Sequence, residues 1–251
     1  MSAMSQIQVM DVITPHPRWK DLYIIGGICG VLMTVLTVLA IIIYFIWPYQ
    51  PGLTSPVDIF ATIQKNKFTG LMSLDFFMIV ITVISIPFFL ALYVALKKVN
   101  ESYALIAVVF GLISCIVILT ARPIAEMFYL SDQYAAATTD AARSQYLAAG
   151  EALSALFNGT AWILYFITFG FDALISSLLM LQTKAFSRTT AYLGIFMNIG
   201  LVSIFAVIPS FAPIATIINL GTTLAGTVWN ILVARTFFQL ARIQDGDKGA
   251  I

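Results

Sequence analysis

Charged side chains are scarce in this chain of 251 residues, at 10% of the total, against about 25% in soluble domains. The 13 Lys and Arg residues nearly balance the 12 Asp and Glu residues, which gives a formal net charge of +1. No basic run interrupts this balance, so the sequence argues against nucleic acid as a partner. Because 60% of the residues are hydrophobic, the composition indicates a protein surrounded by lipid rather than by water.

Histidine and cysteine are also rare. His16, the single histidine, lies in the N-terminal tail, and the two cysteines, Cys29 and Cys115, fall inside apolar blocks as small packing residues. These residues supply no ligand set for a haem or a histidine-rich metal site, so we expect neither a cofactor nor a metal. The HExxH, GxSxG and P-loop motifs are missing as well. We therefore predict no catalytic residues, and an enzyme is the less favoured class.

Long apolar blocks take up most of the sequence. Residues 189–234 contain no Asp, Glu, Lys or Arg at all, whereas a soluble helix needs a polar face toward water. A bilayer-spanning helix needs about 20 apolar residues, and six blocks meet that length: 23–47, 70–96, 102–129, 160–182, 190–207 and 214–240. The predicted fold is therefore an all-α polytopic membrane protein, a six-transmembrane-helix bundle without a second globular domain.

Two further helices are predicted in the loops between spans. Ser55, Pro56 and Asp58 form the pattern of an N-cap, a proline at the first position and an acid at the third, which predicts a short helix over 56–65. The polar, alanine-rich segment 130–156 predicts a solvated helix beginning near Thr139. Pro87 predicts a kink within the second span.

The positions of Lys and Arg predict the orientation. Nine lie on one side: Arg18, Lys20, Lys97, Lys98, Lys184, Arg188, Arg235, Arg242 and Lys248. Four lie on the other: Lys65, Lys67, Arg122 and Arg143. By the positive-inside rule both termini are cytoplasmic and the two extra helices lie in the first and third loops, on the outer side. We expect cytoplasmic tails at 1–20 and 243–251, a transmembrane domain at 21–242, and a multi-pass location in the cell (plasma or inner) membrane.

Several segments resemble a known family. They read EMFYLSDQY at 126–134, AAGEA at 148–152 and FNGT at 157–160, together with SPVDIF at 55–60 and FSRTTAY at 186–192. These segments resemble a prokaryotic family of six-span membrane proteins catalogued as domain of unknown function 4386. The resemblance covers about residues 20–240. It implies a six-helix integral membrane protein, and it supplies no activity and no site residues.

Asp75, Arg122 and Glu126 form a first group of candidate ligand-binding residues. A charge at mid-bilayer costs about 2.5 to 3.5 kcal/mol, so these side chains should turn inward and find partners. Arg122 and Glu126 are four residues apart, which predicts a shared helix face. One interpretation is a pocket for an anion or a headgroup, with Arg122 as the donor. The other is a structural pair between Arg122 and a carboxylate that holds spans two and three together.

Asp172, Asn198 and Asn230 form a second group. Counted from the cytoplasmic ends of their spans, they lie about 16, 12 and 9 Å deep, which predicts one shared layer. Asp172 also continues a stripe with Thr168 and Ser176 at helical spacing, which marks an interior face. One interpretation is a buried carboxylate for a proton, a cation or an amine. The alternative is hydrogen bonding between helices without a ligand.

Three functional hypotheses follow. The favoured one is a binder or transporter of a small or amphiphilic ligand through the polar interior of the bundle. The alternatives are a structural or regulatory membrane subunit, and an intramembrane enzyme that acts on a lipid with Asp172 or Glu126 as acid or base. Besides the lipid bilayer, the expected partners are a small-molecule or lipid ligand, and a second copy of the chain or another membrane subunit. Gly26 and Gly30 form a GxxxG pair that permits close helix approach, either inside the bundle or between copies.

Overall fold

Helices account for nearly all of residues 19–46, 54–157, 159–201 and 210–246, which the computed structural model describes. In chain order they are α1 (Lys20–Ile46), α2 (Pro56–Lys65), α3 (Lys67–Ser73), α4 (Phe76–Leu96), α5 (Glu101–Thr120), α6 (Ile124–Ala136), α7 (Asp140–Phe157), α8 (Thr160–Met180), α9 (Arg188–Met197) and α10 (Ala212–Gly246). The described residues contain no β-strand. The all-α prediction is confirmed.

Five helical stretches are long and apolar enough to cross a membrane. They are Lys20–Ile43, Phe76–Leu96, Glu101–Ala136, Asp140–Met180 and Ile214–Ile243. The remaining predicted span, 190–207, falls on α9 and on residues 202–207, which lie outside the described part of the chain. Most of both tails, 1–18 and 247–251, also lies outside it. The count of six spans and the cytoplasmic placement of the termini therefore stay predictions.

The two loop helices begin where their capping residues predict. The backbone N–H of Asp58 donates to Ser55 Oγ at 3.3 Å, and Pro56 is the first residue of α2. The backbone N–H of Ala142 donates to Thr139 Oγ1 at 3.2 Å, one residue ahead of α7. In each case a side-chain oxygen accepts from a backbone N–H that has no partner within the helix.

The predicted second and third spans are each interrupted, which corrects two predicted boundaries. In the second, Asp75 has a φ of 65° and separates α3 from α4. A left-handed residue cannot continue a right-handed helix. Pro87 lies inside α4, which continues on both sides of it, and the kink expected there stays a prediction. In the third, α5 ends at Thr120 and α6 begins at Ile124, directly after Pro123.

The first of two compact units consists of Met1–Val35, Ile84–Ser114 and Phe166–Ile251. Within it α1 packs closely on α4 and α10. A methyl group added at Gly26 would lie 2.5 Å from the Cβ of Ala91, and one at Gly30 would lie 3.0 Å from the Cβ of Ala234. The GxxxG pair of α1 therefore contacts helices of the same chain, because only residues without a side chain permit this approach.

The second unit consists of Leu36–Val83 and Cys115–Tyr165. Its buried core joins Phe60 and Ile63 of α2 to Met127 of α6 and to Phe157 at the end of α7. A methyl group added at Gly150 of α7 would lie 2.9 Å from the Phe60 ring. The helices predicted for the first and third loops thus pack on each other and on α6, and Phe157 at the end of α7 contacts Arg122.

Candidate functional site

Arg122 lies in the tight turn between α5 and α6. Its backbone N–H donates to the carbonyl of Leu119 at 3.3 Å, and the N–H of Ile124 donates to the carbonyl of Arg122 at 2.8 Å. Pro123 has no N–H and disfavours a helical conformation at the residue before it, so the helix ends here. The turn leaves Arg122 only 7% exposed.

The Arg122 guanidinium is surrounded by partners from its own unit. Its Nε donates to Asp75 Oδ2 at 2.8 Å, and its Nη1 donates to the carbonyls of Ala121 at 3.0 Å and Phe157 at 3.2 Å. Its central carbon also lies 5.3 Å from the ring centroid of Phe157 and 5.0 Å from that of Trp162. These contacts tie the turn to Asp75, to the end of α7 and to the start of α8.

The left-handed backbone of Asp75 belongs to the same arrangement. A φ of 65° at a non-glycine residue is strained. The ion pair with Arg122 offsets that strain. The side chain of Arg122 is 3% exposed and that of Asp75 is 34% exposed, so the pair is partly shielded from water. The structure therefore brings two of the predicted site residues, Asp75 and Arg122, into one bonded pair.

Glu126 does not join this pair. It lies exposed in the first turn of α6 and makes no ion pair with a described residue. The predicted face shared by Arg122 and Glu126 was wrong, because Arg122 precedes α6 and does not lie in one helix with Glu126.

Asp172 is a deeply buried carboxyl group in the first unit. It lies in α8 and is 1% exposed, and the neighbouring stripe residues Thr168 and Ser176 are buried as well. Ser176 Oγ donates to Asp172 Oδ1 at 3.3 Å. The other oxygen, Oδ2, is buried without a hydrogen-bond partner in the described part of the chain. Buried acceptors are almost always satisfied, so this oxygen is an unused acceptor in an apolar setting.

A glycine of α5 lies beside this carboxyl group, and an aromatic ring lies beside the same glycine. A methyl group added at Gly111 of α5 would lie 3.3 Å from Asp172 Cγ and 3.1 Å from the ring of Phe89. The ring centroids of Phe89 and Phe169 are 6.5 Å apart in an edge-to-face arrangement. Gly111 therefore lets α5 approach α8 closely at the level of the acid, beside aromatic side chains.

The contacts of Asn198 and Asn230 described by the structure are with residues other than Asp172. Asn198 Nδ2 donates to the carbonyl of Gly194 at 3.1 Å, while its buried Oδ1 lacks a hydrogen-bond partner among the described residues. A methyl group at Gly170 of α8 would lie 3.2 Å from that oxygen. Asn230 is half-buried in α10, where its carbonyl oxygen lies 3.2 Å from a methyl group placed at Gly30. The shared layer with Asp172 stays a prediction.

Three buried polar atoms that lack a hydrogen-bond partner in the described residues escaped the sequence analysis: Ser154 Oγ of α7, Ser177 Oγ of α8 and Trp229 Nε1 of α10. Ser177 Oγ and Trp229 Nε1 both meet the Cβ position of Gly194. Ser177 lies next to the recognised stripe residue Ser176, seven residues from Gly170 and so on the same helix face. That spacing is the signal by which the sequence marks Ser177. Trp229 carries no comparable signal, because a tryptophan in an apolar block is typical of packing.

Metal-ion chemistry has no visible basis in the described ranges. No three His, Cys, Asp or Glu side chains there come together as ligands. Asp172, with its serine and aromatic neighbours, offers a single carboxylate.

A family model, the domain of unknown function DUF4386, matches residues 27–234. The chain belongs to this family. All six candidate residues, Asp75, Arg122, Glu126, Asp172, Asn198 and Asn230, lie inside the matched range. No curated protein and no solved structure matches the chain. The description of the DUF4386 family names no activity, so the function of this member must be argued from its geometry.

Proposed function

We propose that this DUF4386 protein is an integral membrane protein that binds a small or amphiphilic ligand of positive charge at Asp172. The observation that carries the proposal is the buried Oδ2 of Asp172, which lacks a hydrogen-bond partner among the described residues. Intramembrane acids commonly serve as sites for protons and cations. We further propose six spans in the cell membrane with both termini in the cytoplasm.

The sign of the ligand's charge follows from the neighbours of the carboxyl group. A carboxylate in apolar surroundings is stable only when it is paired or protonated. Ser176 is its one described hydrogen-bond donor. The ring of Phe89 lies beside the same Gly111 position as the carboxyl group, and the faces of aromatic rings attract cations. A proton, a small cation and a protonated amine each fit this chemistry, whereas an anion would be repelled.

A second function is favoured by a specific observation on the other unit. The Arg122 guanidinium donates to Asp75 and to two backbone carbonyls, and two aromatic rings flank it. These contacts support a structural role for Arg122 and Asp75, as expected of a structural or regulatory membrane subunit. An intramembrane enzyme has less support, since Glu126 is exposed and Ser176 is the one described partner of Asp172.

Binding of tetraphenylphosphonium, an amphiphilic cation, to the purified full-length chain in detergent tests the proposal. We expect saturable binding in equilibrium dialysis, with proton release into a weakly buffered indicator solution. Asp172→Asn keeps the shape of the side chain and removes its charge. It should weaken binding by about tenfold to a hundredfold, because the phosphonium has no N–H or O–H and is held at the carboxylate by charge alone. Asp140→Asn, at an exposed position in the first turn of α7, is the matched control.

Thermal unfolding of the same variants separates the two functions. A ligand site predicts that Asp172→Asn melts at an unchanged or higher temperature, because a buried charge without a full set of partners is removed. A purely structural role predicts a lower melting temperature. If folded Asp172→Asn binds the cation as tightly as Asp140→Asn does, the proposal of a ligand site at Asp172 is overturned.

A further inference from the structure

A groove opens at one end of the first unit, between the start of α1 and the last turns of α10. Its walls are formed by Lys20, Ile24, Phe238, Ala241 and Arg242. Two basic and three apolar residues thus line the same groove. Ile24 and Phe238 are half-buried, so part of their hydrophobic surface remains open. A lining that is both basic and apolar matches an amphiphilic occupant.

Packing between α1 and α10 holds the apolar lining of the groove in place. The Phe238 ring lies 2.7 Å from a methyl group placed at Gly27, so the glycine lets the ring rest directly on α1. Ala241 is buried, and α10 is one continuous helix here. The groove is therefore largely formed before anything binds, which lowers the entropic cost of binding.

The groove coincides with the ends of two candidate membrane spans. One span begins at Lys20, and the other ends at Ile243, one residue beyond Arg242. The Nζ of Lys97 lies 4.4 Å from the ring centroid of Trp19, the residue next to Lys20. Tryptophan and lysine are typical of the membrane–water interface. If α1 and α10 cross the bilayer, this end lies at the level of the lipid headgroups.

We propose that the groove binds an anionic phospholipid, whose phosphate contacts Lys20 and Arg242 and whose acyl chain lies on Ile24 and Phe238. Charge complementarity selects this occupant. The planar guanidinium of Arg242 can donate two parallel hydrogen bonds to a phosphate, and basic pockets between spanning helices suit anionic headgroups. A zwitterionic lipid would bring its own cation next to these two. The inference rests on the membrane-spanning part of the proposed function and is independent of Asp172.

Lipid titrations of the purified full-length chain test the inference. Dioleoylphosphatidylglycerol and dioleoylphosphatidylcholine are added in a neutral detergent, and bound lipid is counted by native mass spectrometry. We expect a preference for phosphatidylglycerol that falls by about fivefold for each cation removed. The test variant is Lys20→Gln with Arg242→Gln. The matched control, Lys184→Gln with Arg188→Gln, removes the same charge from two exposed positions, one between α8 and α9 and one at the first residue of α9.

Three results would overturn the inference. The first is an unsubstituted chain without a preference for phosphatidylglycerol. The second is an equal loss in both double variants, which would indicate general surface charge. The third is full displacement of the lipid by soluble glycerol phosphate, which would make the ligand a free phosphate. Asp172→Asn should keep the lipid preference. Loss of cation binding alone therefore bears on the proposed function, and loss of lipid preference alone bears on the groove.

Discussion

Arg122 and Asp172 are both buried, but they differ in the number of partners around their ionisable groups. Arg122 has Asp75, two backbone carbonyls and two aromatic rings around its guanidinium. Asp172 has one serine hydroxyl and a second oxygen without a partner in the described residues. Removing a charge from water is offset only by a good set of bonds. The satisfied group therefore stabilises the fold, and the unsatisfied group keeps capacity for a ligand.

This contrast predicts the effect of breaking the ion pair. Arg122→Ala removes the partner of Asp75, whose side chain is 34% exposed and so remains partly solvated; we expect a loss of about 1.5 to 3 kcal/mol in the free energy of unfolding, as for hydrogen bonds to charged groups. The measurement is thermal unfolding of the purified protein in detergent. A double-mutant cycle with Asp75→Asn should show coupling of more than about 0.5 kcal/mol. Arg143→Ala, at an exposed position of α7, should change stability by less than about 0.5 kcal/mol. Equal effects at the two arginines would refute the structural assignment.

At this scale the sequence identifies the unusual residues but not their partners. Arg122, Asp75 and Asp172 stand out because lipid excludes charge. The helix face predicted for Arg122 and Glu126 was wrong, since it assumed an unbroken helix through Pro123. Trp229 was missed because its indole N–H becomes conspicuous only when it is buried without a partner in the described residues, whereas Ser177 was marked by its helical spacing from Gly170 and overlooked.

At the scale of elements, local signals were sufficient for the loop helices. Ser55 and Thr139 cap α2 and α7 through contacts within four residues, which a sequence displays directly. The interruption at Asp75 was not predicted. The left-handed conformation there is supported by Arg122, 47 residues away. The kink expected at Pro87 stays a prediction, since α4 includes the proline within one helix.

Helix packing in the first unit gives a prediction with opposite signs at two glycines. Gly26→Ala would place a Cβ 2.5 Å from that of Ala91, so α1 must move away from α4. We expect a loss of about 1 to 3 kcal/mol, as for other overpacked sites. Gly221 of α10 has nothing within 4 Å of its Cβ position. Gly221→Ala should therefore be neutral or stabilise the helix by up to about 1 kcal/mol.

Melting temperatures of the two variants in the same detergent provide the measurement. Each substitution adds one methyl group to a helical glycine, so a difference between the two melting temperatures reports the close contact of Gly26 with Ala91. Indistinguishable melting temperatures would mean that α1 does not pack closely on α4.

At the scale of the whole molecule, composition alone determined the class. The scarcity of charge and the length of the apolar blocks predicted helices suited to lipid, and five such helices are present. The family resemblance was confirmed over residues 27–234. Function could not be read in the same way, because Asp172 belongs to no motif. Its significance depends on burial against Gly111, which the sequence does not display.

The side of the membrane on which each loop lies can be tested with one position before α8 and one position after it. Arg143 in α7 is predicted to lie outside and Lys184, beyond α8, inside; both are exposed. Since the native cysteines Cys29 and Cys115 are buried, they are replaced by alanine and one new cysteine is introduced. In intact cells a membrane-impermeant maleimide should label Arg143→Cys at once, and Lys184→Cys only after permeabilisation. The reverse pattern would invert the topology. Labelling of both from outside would mean that α8 does not cross the membrane, since only that helix separates the two positions.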